Sequence, residues 1–290
     1  MTPAVALQLG RVSNLPTVWT NVLAGMILAG ATPLDVRTPL VLIALSAFYI
    51  GGMFLNDAFD AETDAVERPE RPIPAGLVSR GSVFASGFGM LIFSVLMLVW
   101  VGIGFTAGTG WWPAICGMGL AAAIVFYDWY HKANPLSPLV MGVCRVLVYI
   151  TAGVCFSLPV GGAVLIGAGL LLCYLIGLTY IAKQENLGRV ETLWPLIFLA
   201  APVIYGLVLA IQQPLVSMFW LAFSGWMLFA LWLVKRRGPG DVPRAVVSLI
   251  AGISLFDALL IAGAGLFGFA GLAVLGFFLT LVLQRYVSGT

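Results

Sequence analysis

The chain has 290 residues, of which 61% are hydrophobic and 9% are charged, whereas soluble domains are about 45–50% apolar and about 25% charged. This composition, with a mean hydropathy of +1.06, excludes an ordinary soluble domain and predicts an integral membrane protein. The net charge of +2 is spread along the chain without a basic stripe, so the sequence predicts membrane lipids as partners and no nucleic acid.

Ten apolar runs along the chain are long enough to cross a bilayer or nearly so. In chain order they are Thr17–Pro33, Leu40–Leu55, Val83–Phe105, Trp111–Tyr130, Leu139–Phe156, Ala163–Ala182, Leu193–Ile211, Leu215–Val234, Ala245–Gly265 and Gly268–Val287. Only a Gly-rich turn joins the last two, so nine crossings are also compatible. The pattern predicts an all-α, polytopic helical bundle of nine to ten transmembrane helices, with residues 1–290 forming one domain.

Basic residues are distributed unequally between the two sides of the membrane that these runs define. With the N-terminus inside, 12 Lys and Arg residues fall on the inner side and only Arg37 on the outer side, while Arg145 lies within a span. Inner loops of membrane proteins are rich in Lys and Arg. We therefore expect the polar segments 56–81, 131–138, 183–192 and 235–244 on the cytoplasmic side, in a membrane of the bacterial inner type.

Acidic residues are concentrated directly after the second run. Six of the chain's 12 acidic residues lie between Asp57 and Glu70. On a helix, Asn56, Asp60 and Asp64 share one face, with Asp57 beside them. Oxygen ligands on one face suit Mg²⁺, which is usually shared with substrate phosphates. The pattern predicts a magnesium site made by these four residues, and the alternative is a solvated, charged loop.

Basic side chains follow this acidic face and lie at the same membrane edge. Arg68 and Arg71 come next on the segment, and guanidinium groups pair well with phosphate oxygens. At the end of the fourth run, Tyr127, His131 and Lys132 point towards the same edge. Together they predict binding of a diphosphate carried on a lipid, with Lys132 as a catalytic cation. The alternative for each cation is a topology signal alone.

Two further groups of charged residues are candidates for the site. Arg145 lies about two turns into the fifth run, where a charge is costly and indicates function by default. A structural pair with an acidic partner is the alternative for Arg145, and Asp257 is a second intramembrane charge with both interpretations open. Lys183 and Glu185 follow the sixth run and form either a weaker ligand set or a solvated loop.

These residues together resemble the UbiA superfamily of intramembrane prenyltransferases over essentially the whole chain. The first aspartate-rich motif of that superfamily is matched by Asn56-Asp57-x-x-Asp60-x-x-x-Asp64, followed by Arg68 and Arg71-Pro72-x-Pro74-x-Gly76. Arg11, Pro16 and Thr17 resemble its N-terminal Arg-x-x-x-x-Pro-Thr segment. The resemblance implies nine helices around a lipid-accessible cavity, with a Mg²⁺-bound isoprenyl diphosphate held between two cytoplasmic motifs. It also implies a substrate-binding role for Arg11.

The chain departs from the superfamily pattern at two places. The Tyr-x-x-x-Lys pattern after the fourth span is present as Tyr127-x-x-x-His131-Lys132, and the second aspartate-rich motif, expected near 179–190, retains only Glu185 as an acid. These departures resemble the EboC-like branch of the superfamily. They predict a weak or absent second metal site, with Lys183 partly replacing the metal.

The resemblance implies an enzyme that transfers an isoprenyl group from an isoprenyl diphosphate to a small-molecule or lipid acceptor, aromatic or otherwise nucleophilic. In this interpretation Asn56, Asp57, Asp60, Asp64, Lys132 and Arg145 are catalytic. Two alternatives remain. One is transfer of another diphosphate-activated group to a lipid phosphate, and the other is non-catalytic binding or transport of prenyl lipids.

Overall fold

Helices form the regular structure in the part of the chain that the computed structural model describes, which is residues 1–132, 134, 136–184, 194–236 and 238–289. No strand occurs in these residues. The α-helices are Pro3–Leu9 (α1), Leu15–Leu28 (α2), Thr38–Glu67 (α3), Arg80–Ile103 (α4), Trp112–Tyr130 (α5), Ser137–Val154 (α6), Gly162–Lys183 (α7), Ala200–Gln212 (α8), Ser217–Arg236 (α9), Asp241–Gly263 (α10) and Phe267–Leu283 (α11).

Each of the ten apolar runs contributes its own helix. Among the described residues, eight helical segments are long and apolar enough to cross a membrane, including a 3-10 turn from Trp194 that continues into α8. The shorter α2 and α11, with 14 and 17 residues, complete the set. The predicted all-α, polytopic membrane bundle is therefore confirmed.

The two ends of the chain meet at one end of the bundle. The side-chain amide of Asn14, just before α2, donates to the carbonyl oxygen of Gly289, beyond α11, at 2.8 Å. The side-chain amide of Gln284 donates in turn to the Asn14 Oδ1 atom at 3.0 Å. Segments on the same side of a bundle are joined by an even number of crossings, which favours ten crossings over nine.

The long helix α3 carries the acidic residues. Its predicted span ends at Leu55, but the helix continues without interruption to Glu67, because the first helix-breaking residue is Pro69. The first twelve residues of the predicted polar segment 56–81 are therefore helical. The regular spacing of the acidic face is consequently preserved in three dimensions.

Close packing of α2 against α6 positions the interior polar groups. A Cβ atom added at Gly25 would lie 2.6 Å from the carbonyl oxygen of Tyr149, so only glycine permits this approach of the two helices. One turn away, the same contact brings Arg145 of α6 next to Asn21 of α2. Helix α10 lies at the centre of the second half, with most of its residues buried.

Arg37, the one basic residue predicted on the outer side, holds loops together at the far end of α3. Its guanidinium donates to the carbonyl oxygens of Ala107 and Cys155, at 2.6 and 3.0 Å, and lies 4.8 Å from the centre of the Phe156 ring. Hydrogen bonds from Arg37 hold the pKa of Asp35 below its usual value. The charge of Arg37 is therefore used structurally.

Candidate active site

A cavity of about 560 Å³ opens between α2, α3, α5, α6, α7 and α10. Its volume lies within the range of about 300–1,000 Å³ that is usual for ligand sites. One part is apolar and includes Val18, Leu45, Phe48, Leu120 and Val148. The other part is lined by the polar residues at the end of α3 and by cations. The cavity can therefore accommodate a molecule with an apolar chain and an anionic head.

The four residues of the acidic face of α3 are all buried. Asn56, Asp57, Asp60 and Asp64 are between 3% and 8% exposed, a burial that carboxylates tolerate only when they are paired. Asn56, Asp60 and Asp64 line the cavity, whereas Asp57 lies behind its surface. The predicted shared face is thus present, and three of its four members point towards the cavity.

Two arginines from different segments neutralise this face. Arg11 donates to the Asn56 Oδ1 atom at 3.3 Å and to the Asp57 Oδ1 atom at 3.1 Å. Arg71 lies 2.8 Å from the Asp64 carboxylate and 3.4 Å from that of Asp57. Asp57 therefore bridges both guanidinium groups. Burial opposes the charge of Arg11, but the attraction of Asp57, with Tyr49 and Tyr127, raises the pKa of Arg11 above its usual value.

The backbone of Arg11 is in the left-handed conformation, with φ 40° and ψ 48°. This conformation costs a residue other than glycine about 1 kcal/mol or more. The hydroxyl group of Tyr49 donates to the Arg11 carbonyl oxygen at 3.3 Å. The Arg11 side chain is held by its hydrogen bonds to Asn56 and Asp57 of α3. The surrounding contacts thus hold the guanidinium at the site against a local backbone preference.

The segment directly after α5 brings a lysine and a histidine to the acidic face. The Lys132 Nζ atom lies 3.3 Å from the Asp60 carboxylate, and the His131 Nε2 atom lies 3.5 Å from it. The His131 ring stacks on Tyr127, with 4.9 Å between ring centres. His131 and Lys132, where the chain departs from the Tyr-x-x-x-Lys pattern of the superfamily, therefore both lie close to Asp60.

Arg145 lies at the cavity without an acidic partner among the residues that the structure describes. It donates to the Asn21 Oδ1 atom at 2.8 Å and to the Thr17 hydroxyl oxygen at 3.1 Å, and it lies 5.5 Å from the centre of the Tyr49 ring. The alternative of a direct carboxylate pair is therefore not found here. Asn21 instead connects Arg145 to Asp257, since its amide donates to the Asp257 carboxylate at 2.8 Å.

Asp257 belongs to a buried network behind the cavity. It is fully buried and accepts hydrogen bonds from Thr20, Asn21 and Tyr149. It does not line the cavity. These contacts favour the structural interpretation of Asp257, which anchors α10 to α2 and α6.

The remaining predicted residues lie at the cavity edge or outside the described chain. Arg68 is half-buried and lines the cavity, with no ion pair in the described residues. Lys183 also lines the cavity, is largely exposed, and donates to the carbonyl oxygen of Asn134 at 3.1 Å. Glu185 lies outside the described residues.

One cavity residue, Asp128, has no role assigned from the sequence. It lies on α5 and accepts a hydrogen bond from the side-chain amide of Asn56 at 3.2 Å. The sequence signal that could have identified Asp128 is the presence of a carboxylate inside an apolar run. Its partner lies 72 positions away in the sequence, so no spacing rule could find the pair.

The chemistry of this donor set fits a divalent cation. No group of three or more His, Cys, Asp or Glu residues forms a ready metal site in the described ranges. However, Mg²⁺ commonly takes only one or two protein carboxylates and completes its octahedron with phosphate and water. The cavity presents Asn56, Asp60 and Asp64, and one carboxylate oxygen of Asp128 is buried without a hydrogen-bond partner among the described residues.

Fold and cavity together define an integral membrane protein with an ion-paired polar site at one end of its helices. The chain belongs to the UbiA prenyltransferase family, whose family model matches residues 18–250. The resemblance seen in the sequence is therefore confirmed at the level of the family, while the EboC-like assignment stays a prediction.

Individual relatives match a smaller part of the chain. Digeranylgeranylglyceryl phosphate synthase of Methanopyrus kandleri is 34% identical over 156 residues, which are 52% of this chain and 50% of that protein. The protein of the same name from Methanothermobacter thermautotrophicus is 32% identical over 135 residues, 46% of this chain and 42% of that protein. The chain thus spans about half the length of the curated relatives it matches.

Solved structures share the fold over nearly the whole chain. A structure of digeranylgeranylglyceryl phosphate synthase has a TM-score of 0.62 at 18% identity and covers 90% of this chain and 97% of that chain. The apo structure of a UbiA homolog from Aeropyrum pernix K1 has a TM-score of 0.51 at 16% identity, with 95% and 98% covered. At these identities the likeness establishes the fold alone.

Proposed function

We propose that the protein is a Mg²⁺-dependent prenyltransferase that moves an isoprenyl group from an isoprenyl diphosphate to an acceptor within the membrane. The observation that carries this proposal is one cavity with a buried carboxylate face and several cations at one end and apolar walls at the other. A diphosphate head and an isoprenyl chain need these two environments. Family membership and the names of the relatives support the same reaction class.

Different residues bind the two parts of the donor's head. Asn56, Asp60 and Asp64 would hold Mg²⁺, which supplies positive charge to the diphosphate when it is bound. Asp57, predicted from the sequence as a fourth ligand, holds Arg11 and Arg71 in place instead. Arg68 and Lys183 line the cavity without a carboxylate partner in the described chain, so their charges are available to phosphate oxygens.

The reaction follows from this separation of charge. The C–O bond of the allylic diphosphate breaks, and its electron pair stays on the diphosphate, where the cations stabilise it. The acceptor nucleophile gives an electron pair to the allylic carbon and loses a proton, which the released diphosphate takes up. Phe48, Tyr49 and Tyr127 line the cavity and shield the electron-poor carbon from water.

The position and hydrogen bonds of Arg145 favour an acceptor that carries an anionic group. Its two hydrogen bonds in the described structure go to neutral oxygens of Asn21 and Thr17, which leaves guanidinium donors for a phosphate or carboxylate. The relatives named digeranylgeranylglyceryl phosphate synthase favour a lipid phosphate, rather than an aromatic acid, as the acceptor. We propose a prenylated glyceryl phosphate as the preferred acceptor.

The test uses purified protein in lipid nanodiscs with Mg²⁺, geranylgeranyl diphosphate and either geranylgeranylglyceryl phosphate or 4-hydroxybenzoate. Mass spectrometry follows the lipid products, and a coupled assay follows pyrophosphate. We expect pyrophosphate and a prenylated phosphate lipid in equal amounts, and neither product in EDTA. Donor binding without pyrophosphate release would instead indicate a lipid carrier. A higher kcat/KM for 4-hydroxybenzoate would overturn the assigned acceptor.

We also propose that the site faces the cytoplasm in a membrane of the bacterial inner type, because 12 of the 14 basic residues fall on that side. Single cysteines at Ser79 and Gln184 should react with an impermeant maleimide only from the cytoplasmic side. A cysteine at Thr106 should react only from the opposite side. The background protein has Cys116, Cys144, Cys155 and Cys173 replaced by alanine. Labelling of Ser79→Cys and Gln184→Cys from different sides would contradict the topology.

A further inference from the structure

Asp128 is a buried carboxylate of the cavity that forms no ion pair in the described residues. It is 3% exposed, and its Oδ1 atom accepts from the Asn56 amide at 3.2 Å. Its Oδ2 atom is buried without a hydrogen-bond partner among the described residues. Leaving a buried carboxylate oxygen unpaired is costly, so this atom indicates a ligand.

The position of Asp128 places that oxygen beside the acidic face of α3. Asp128 and Asp60 both line the main cavity, and both also line a second cavity of about 440 Å³ between α3 and α5. The two carboxylates therefore lie in the wall between the two cavities. Two cations of the site already pair with other carboxylates: Arg11 pairs with Asp57, and Lys132 pairs with Asp60.

We infer that Asp128 is a further ligand of the divalent cation that binds with the donor diphosphate, together with Asn56 and Asp60. This inference rests on the proposed function and extends its metal site from α3 to α5. The second aspartate-rich segment near 179–190 retains only one acid. A carboxylate from α5 supplies a ligand that this segment lacks, and Mg²⁺ needs few protein ligands when phosphate completes its shell.

A competing role for Asp128 is to orient Asn56 without touching the metal. Two substitutions separate these roles. Asp128→Asn keeps an oxygen that accepts from Asn56 but removes the charge and the metal affinity of the carboxylate. Asp128→Ala removes both. A metal ligand therefore predicts equal losses in the two variants, and an orienting residue predicts a loss only in Asp128→Ala.

The experiment measures binding of Mn²⁺ to the purified protein by electron paramagnetic resonance, with and without inorganic pyrophosphate and with no acceptor. We expect pyrophosphate-dependent Mn²⁺ binding in the wild type and an apparent Kd raised at least about tenfold in both Asp128→Asn and Asp128→Ala. Glu62→Gln is the matched control, because this carboxylate is exposed on α3 and pairs with Arg80. Thermal unfolding without metal verifies that each variant is folded.

The outcomes distinguish this inference from the proposed function. Wild-type Mn²⁺ affinity in Asp128→Asn, with affinity lost in Asp60→Asn, would overturn the role of Asp128 and leave the α3 site standing. No pyrophosphate-dependent Mn²⁺ binding in the wild type would overturn both. If Asp128→Ala fails to fold, Asp128→Asn alone decides, since its side chain has nearly the same volume and retains the bond to Asn56.

Discussion

Replacing Asp60 by asparagine should lower turnover by about 10²- to 10³-fold, a loss of the size seen when a charge-stabilising group is removed from an active site. Asp60 lines the cavity and pairs with Lys132 and His131. Asparagine has nearly the same shape, so packing is retained while the negative charge is lost. The protein then loses a ligand for Mg²⁺ and the carboxylate that contacts Lys132 and His131.

The measurement for Asp60→Asn is pyrophosphate release at saturating donor and acceptor, with Mg²⁺ varied. Glu62→Gln on the same helix should stay within about twofold of the wild type, because a solvent-exposed ion pair contributes little. Asp60→Asn must keep the wild-type unfolding temperature for the comparison to count. Wild-type turnover in a folded Asp60→Asn variant would refute the assignment of the acidic face.

Substituting Arg145 by glutamine should raise the KM for the phosphate-bearing acceptor about 10- to 150-fold. This factor corresponds to about 1.5–3 kcal/mol for a hydrogen bond to a charged group. The KM for the donor should change little, because Arg145 has no contact with the acidic face among the described residues. Glutamine retains an amide donor that can bond to Asn21, which limits the loss of stability.

Steady-state kinetics with each substrate varied in turn tests this role, and Arg145→Lys provides the matched variant. Lysine keeps the charge but cannot form a two-pronged bond to phosphate, so its KM for the acceptor should lie between those of wild type and Arg145→Gln. An equal rise in both KM values, or a loss confined to kcat, would contradict an acceptor-binding role.

The sequence was sufficient for the parts of the molecule that depend on local pattern. Hydropathy predicted the ten helices, and the four-residue spacing of Asn56, Asp60 and Asp64 predicted their common face on α3. Both properties follow from the period of one helix. The start of α2 at Leu15 and the extension of α3 to Glu67 differ from the predicted boundaries because hydropathy marks the apolar core and not the helix end.

The period of a single helix could not predict which groups from distant segments pair with each other. Asn21 and Arg145 are 124 positions apart, and their contact depends on the close approach of α2 and α6 at Gly25. The Asp128 oxygen that has no hydrogen-bond partner among the described residues is likewise a property of the packed site. A sequence pattern states which charges are present but not which of them remain unneutralised after folding.

Opposite charges within the site are in direct contact with one another. Asp57, Asp60 and Asp64 each pair with at least one cation in the described structure. A metal-bound diphosphate brings both signs of charge, so it can exchange partners with these pairs: the metal takes carboxylates and the phosphates take cations. The pairs thus limit the net charge that the site carries within the membrane.

The left-handed backbone at Arg11 has a consequence for protein engineering. Glycine adopts this conformation without strain, so a redesign scored on folding stability alone would choose glycine at position 11. That choice would remove the guanidinium that contacts Asn56 and Asp57. If the proposed activity holds, thermostabilised versions of this protein should therefore be selected with residue 11 held fixed, because stability and activity would favour different amino acids at this position.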